Sequence, residues 1–250
     1  PVCRGAPAYG LTAPPPAPHP QGVRMQELFG EFDILGAFWM TIKLTVMSGI
    51  GALVIGTILA IFRLSPVPML RFLGSLYVNV VRNTPLTLIV VFCSLGLVAQ
   101  LNLRLASAQS PTFIRDNNVR FAVAALSIYT AAFVCEALRS GVNTVPVGQA
   151  EAARSLGLGF RQTLTQVVLP QAFRAALVPL GNTLIALTKN TTVVSVIGVA
   201  EISYLQAQVI EDRPDAIMAF FVIVALGFVI LTLPMGLFFT RLATRLEVKR

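Results

Sequence analysis

Five apolar stretches, at about 35–62, 72–98, 121–138, 177–199 and 216–239, constrain the fold of this chain more than anything else in it. At roughly 1.5 Å per helical residue, each is long enough to cross a hydrocarbon core of about 30 Å. A bilayer offers no water to unpaired backbone groups, so spans this apolar are expected as helices. Charged residues are 12% of the chain, against about 25% in an average soluble domain. The expected fold is an all-α integral membrane domain of about five transmembrane helices. It would occupy 34–240, between a proline-rich tail with a short amphipathic lead-in (1–33) and a basic tail (241–250).

Two runs carry internal breaks. The second holds Asn79, Arg82, Asn83, Thr84 and Pro85 in its first half, and a proline there kinks or restarts a helix. Two pieces are expected, the polar one shielded by protein. The fourth is interrupted between Thr188 and Thr192, and the fifth has Pro234 near its end. In the first, Trp39 and Lys43 read as an aromatic belt residue and a snorkelling cation at the outer end.

Lys and Arg set the orientation. With the N-terminus outside, the inner side receives Arg63, Arg71, Arg139, Arg154, Arg161, Arg174, Arg241, Arg245, Lys249 and Arg250. The outer side receives Arg4, Arg24, Arg104, Arg115, Arg120 and Arg213, with the acidic Glu211, Asp212 and Asp215 beside the last. This asymmetry predicts N-out, C-in. It also explains the net charge of +8 without nucleic acid. Cys3, Cys93 and Cys135 have no metal or redox spacing, and His19 lies in the proline-rich tail. That tail (1–24) has no apolar signal-peptide core, and Met25 is the expected native start.

The segment 146–174 is too polar to span and falls on the inner side. Pro146 opens a helix in which Val147, Ala150, Ala153 and Leu156 recur near helical spacing, with Glu151 in its early turns. Gly157 and Gly159 are suited to left-handed termination. A second short helix is expected at about 160–168, stopping near Pro170. A short helix with small alanines can seat in a groove of a partner, as helix-in-groove recognition does. The competing reading is an ordinary amphipathic interfacial helix.

Glu151-Ala152-Ala153, Gly157 four residues on, and Val167 before Leu169-Pro170 resemble the cytoplasmic EAA coupling loop of ATP-binding cassette (ABC) importer permeases, with Val in place of the usual Ile. From about residue 35 to 245 the chain looks like a permease of the polar amino-acid branch (histidine, glutamine, glutamate). That narrower likeness rests on Arg82-Asn-Thr-Pro85, Glu136-Ala-Leu-Arg139-Ser-Gly141, Pro146-Val-Gly-Gln149, Asn182-Thr-Leu-Ile-Ala-Leu-Thr-Lys189-Asn-Thr-Thr192 and Ser195-Val-Ile-Gly198. The resemblance implies a type I importer permease in a bacterial inner membrane. It implies a second permease (itself or a paralogue), two ATPase subunits and an extracytoplasmic solute-binding protein as partners, with membrane lipid around it and a small polar amino acid as cargo. It implies alternating access coupled to the ATPase.

No nucleophile–base pair is visible, and no G-x-x-x-x-G-K-[ST] stretch. The chain is therefore expected to be no enzyme and to hold no cofactor or metal, with ATP and Mg bound by the partner ATPase. Polar groups inside spans face a cavity or another helix. Arg82, Asn83 and Thr84 are candidates for the substrate path, or else pack helices. Asn182 and Thr188 are further path candidates, and Lys189, Asn190 and Thr191 are stronger ones, or else hold a broken helix or the permease dimer. Glu136 and Arg139 are expected to pair along one helix. Glu201 and Gln206 are candidates for contact with the binding protein. An ion-coupled secondary transporter acting alone is the alternative; it predicts inverted repeats and paired intramembrane acids, and only Glu136 lies near a span.

Overall fold

In the computed structural model the described residues are 25–246, apart from 108 and 110. The tail 1–24, with Cys3 and His19, and residues 247–250 lie outside them. Every element among the described residues is helical. α1 (Met25–Glu31) leads into α2 (Ile34–Leu64), where the Asp33 carboxylate caps the helix by accepting the Gly36 N–H at 2.9 Å. Pro66 and Pro68 end α2 and open α3 (Pro68–Arg82).

The expected break in the second run is visible at Pro85. Asn83 donates to the Asn79 carbonyl and Thr84 to that of Val80, closing the last turn of α3. α4 (Leu86–Val91) then leaves at 103° to α3, passing through a π-helical turn (Phe92–Gly96) into α5 (Leu97–Leu101). Asn102, in the left-handed region at φ 48°, terminates it.

α6 (Phe113–Asn143) is longer than the apolar run at 121–138, because Asn117 and Asn118 are used within the bundle. The Asn117 side chain accepts the Leu105 N–H, and Asn118 donates to the Ile197 carbonyl. Beyond α7 (Val147–Ser155) and α8 (Phe160–Gln162), a π-helical stretch (Thr163–Val168) runs into α9 (Leu169–Asn190). Here the structure corrects the sequence reading: the helix does not stop at Pro170. Pro170 stands in the first turn of α9, directly after the π turn, and a widened turn is where a helix takes up a ring that would clash with the turn before it. The interruption expected at 188–192 falls inside that window. α9 continues through Asn190, a 3-10 turn (Thr191–Ile197) follows, and the chain reverses at Gly198, φ 74°. α10 (Ile202–Asp212) and α11 (Ile217–Leu246) complete the fold.

Helices α2, α6 and α11 are each long and apolar enough to span, and the two bent pairs bring the number to as many as five. α2 and α6 run parallel, with Gly51 facing Ser127 and Gly56 facing Val134. A Cβ on Gly56 would stand 2.6 Å from that of Val134, so glycine sets the closeness of this crossing. α9 returns antiparallel, and α11 packs on it where Phe239 covers Gly181. Cys93 and Cys135 are free thiols buried in the core. The bundle thus has two ends: the loop end, carrying α7 and α8, and the far end, carrying α1, α10 and the start of α2, α6 and α11.

Candidate functional site

The loop end is built on one glycine. The Gly157 N–H donates to the Arg154 carbonyl at 2.9 Å and the Leu158 N–H to that of Ala153 at 3.2 Å. This is the paired closure of a Schellman turn, and it needs a left-handed residue at Gly157, whose φ is 86°. Gly159 is extended instead (φ −67°, ψ 163°), so the left-handed role expected for it does not arise. Its N–H is held by the Gln162 side chain at 3.0 Å, which starts the next helix.

One contact ties the loop to the bundle and another ties its two short helices together. Gln171 on α9 donates to the Gln149 side chain on α7 at 2.7 Å. The Arg154 guanidinium lies 5.7 Å from the Phe160 ring centroid. Ala153 is buried against the loop, while Glu151, Ala152 and Gly157 are exposed. Val167 is half-buried, and Leu169 and Pro170 are exposed at the root of α9. Val147, Leu156 and Phe160 expose 73%, 85% and 69% of their surface. Large apolar side chains presented together on a polar loop mark an interaction face.

The path candidates separate into two sets. Asn182 and Asn190 line a groove of about 360 Å³ between α6 and α9, opposite Tyr129, Thr130 and Phe133. The Thr130 hydroxyl is buried there without a hydrogen-bond partner. Lys189 is exposed on the same helical stripe as Asn182, beside Asn190. Thr188 and Thr191 point the other way: both are buried, and their hydroxyls donate to the carbonyls of Leu184 and Thr188. Asn83 and Thr84 cap their own helix and lie outside the α6–α9 groove.

Arg82 is held by Glu136, its Nη1 lying 2.8 and 3.0 Å from the two carboxylate oxygens. Glu136 therefore pairs with Arg82 on α3 and not with Arg139 one turn along α6. The crossing of α3 over α6 brings a cation from another helix into bonding range. The groove walls Tyr129, Thr130 and Phe133 were missed in the sequence. Their only local signal is an aromatic pair four apart with a hydroxyl between, which a buried helix face also produces.

At the far end, Glu201 is fully buried and caps α10, accepting the N–H groups of Ser203 and Tyr204. Its carboxylate is spent on capping α10 at the edge of a groove shared with Tyr204 and Gln208, and Gln206 is half-buried. Glu201 lies in the connection outside the spanning helices, and burial pushes its carboxyl up to about 7. Arg213 bridges Glu31 and Asp215, which pairs one member of the outer acidic cluster.

Residues 52–248 match the family described as the binding-protein-dependent transport system inner membrane component. This chain belongs to that family. It is the permease subunit of an ABC transport system and a multi-pass protein of the bacterial inner membrane. The glutamate transport system permease protein GluC of Corynebacterium glutamicum is 59% identical over 218 residues, covering 87% of this chain and 96% of that one. A probable glutamine ABC transporter permease of Bacillus subtilis, GlnM, is 34% identical over 88% of this chain and 96% of its own. Among solved structures, an amino acid ABC transporter crystallised with histidines superposes with TM-score 0.76 at 28% identity, covering 89% of this permease and 99% of that chain.

Proposed function

We propose that this permease imports acidic amino acids, glutamate first, by alternating access driven by a separate ATPase. The observation that carries the substrate class is the 59% identity to a permease named for glutamate. Relatives named for glutamine and cystine match at only 34% and 38%. The α6–α9 groove supports the reading, since amide and hydroxyl groups line it and the exposed Lys189, next in sequence to its lining residue Asn190, offers a cation for a carboxylate.

In this mechanism the loop end is cytoplasmic. The exposed face of the loop, with Glu151 and Ala152 on α7, Leu156 at its end and Phe160 at the start of α8, seats in the ATPase, which binds ATP and Mg. A second permease, itself or a paralogue, covers the polar groove, because Asn182 and Lys189 are costly against lipid tails. A loaded extracytoplasmic binding protein docks at the far end. ATP-driven closure of the ATPase pair draws the two coupling loops together and opens the path outward. Hydrolysis returns it to face inward, and the substrate is released.

The test is reconstitution with an ATPase and a binding protein from the same organism, followed by uptake of labelled glutamate, aspartate, glutamine and arginine. ATP-dependent uptake with glutamate or aspartate preferred is the expected result. Preference for arginine or glutamine overturns the substrate class. Uptake driven by an ion gradient without the ATPase overturns the coupling mechanism.

A further inference from the structure

At the far end, a groove of about 340 Å³ runs between α2 and α6. Its floor is apolar: Met40, Leu44 and Met47 from α2, with Val119 from α6. Its rim is cationic, formed by Lys43, Arg115 and Arg120, all exposed. The ion pairs among the described residues are Arg82–Glu136, Arg213–Glu31 and Arg213–Asp215, so none of the three rim cations is paired. Arg120 donates to the Leu105 carbonyl. The one carboxylate of the groove, Asp116, accepts the Thr112 hydroxyl at 2.8 Å. A second groove of about 540 Å³ adjoins it, sharing Met40, Lys43 and Arg115 and adding Trp39; its carboxylates are already engaged, Glu31 with Arg213, Asp33 as the cap of α2 and Glu201 as the cap of α10.

These cations stand at the end opposite the coupling loop, where the positive-inside bias works against them. They are therefore not explained as topology signals. Lys43 is nine residues into α2, roughly 13 Å along the helix, with apolar neighbours above and below. A lysine at that depth needs either a reach to the interface or an anion brought to it. Trp39, one turn outward and more than half exposed, marks the headgroup level.

We propose that this groove binds an anionic phospholipid of the leaflet at the far end. The phosphate sits between Lys43 and Arg115, and an acyl chain lies along Met40, Leu44 and Met47. An acidic surface of a soluble partner would satisfy the cations but leave the apolar floor bare. A lipid satisfies both with one molecule.

The experiment uses the permease–ATPase complex, delipidated in mild detergent and titrated with phosphatidylglycerol or zwitterionic phosphatidylethanolamine, with bound lipid counted by native mass spectrometry. Phosphatidylglycerol is expected to bind preferentially. Losing two interfacial cations in Lys43→Gln/Arg115→Gln is expected to weaken it about thirty-fold. Arg104→Gln, at the same end but outside the groove, is expected to leave binding unchanged. Met47→Trp, which fills the floor without altering charge, is expected to lower occupancy. Equal affinity for the two lipids, or equal phosphatidylglycerol binding by the double variant and the wild type, overturns the proposal. Unchanged lipid binding with lost affinity for the solute-binding protein also overturns it and assigns the groove to a protein partner.

Discussion

Gly141 locks together the two helices that carry the coupling loop, and replacing it tests whether that lock matters. An added Cβ would stand 2.3 Å from the Ala172 carbonyl oxygen, 2.8 Å from the Ala176 Cβ and 3.0 Å from the Ala176 nitrogen. The nearest of these is backbone, so no rotamer change relieves it. Reaching an ordinary C···O separation of about 3.3 Å requires α6 and α9 to part by about 1 Å. Overpacking of this kind costs about 1–3 kcal/mol, and a clash with backbone belongs at the upper end. Alanine's better helix propensity offsets about 1 kcal/mol, leaving Gly141→Ala destabilised by about 2 kcal/mol. In a domain of this size that lowers the thermal midpoint by about 4–8 °C. The parting lies at the root of the coupling loop, so uptake per ATP hydrolysed is expected to fall as well.

Gly148, on α7, is the matched control, because nothing lies within 4 Å of its added Cβ. Gly148→Ala is expected to leave the midpoint unchanged or raise it. The assay is thermal unfolding of the purified complex followed by size-exclusion chromatography, beside coupled uptake in proteoliposomes. A Gly141→Ala midpoint equal to or above the wild type would refute the reasoning, since helix propensity alone predicts that direction.

Other outcomes follow from the same geometry. Gly157→Ala meets no neighbour, so its cost of about 1–2 kcal/mol is purely that of a left-handed backbone; membrane insertion should be normal while ATPase co-purification and uptake fall, and a variant normal in both contradicts the Schellman turn as the coupling element. Arg82→Gln and Glu136→Gln each strand a charge, whereas the double variant strands none; a double-mutant cycle on complex stability is expected to give a coupling of about 1–2 kcal/mol, and a value near zero removes the pair from the structural account. Glu201 binds its proton more tightly when folded, with a carboxyl near 7 against an ordinary 4.5. Its contribution is therefore full below about pH 4.5 and is lost as pH rises to about 7, so the wild-type complex should gain stability on acidification through that window. Glu201→Gln should flatten that dependence, and an unchanged pH profile in the variant assigns it to other groups.

What the sequence by itself determined is everything encoded within a few residues. The apolar runs are long enough to span, Thr84-Pro85 breaks the second, and Gly157 permits the turn that closes α7. Each depends on the hydropathy of a window or the backbone freedom of one residue. The Glu136–Arg82 pair, separated by 54 positions, and the groove of Asn182 and Asn190 against Tyr129, Thr130 and Phe133 were decided only by tertiary structure. Helices such as α2 and α11 are apolar on nearly every side, so their sequences mark no face for the partner helix. Which residues meet is set by where small side chains such as Gly56, Gly141 and Gly181 let helices approach. The course of α9 through Pro170 has the same origin: proline lowers the local odds of a helix, but the π turn before it takes up the ring, and packing against α6 carries the helix on.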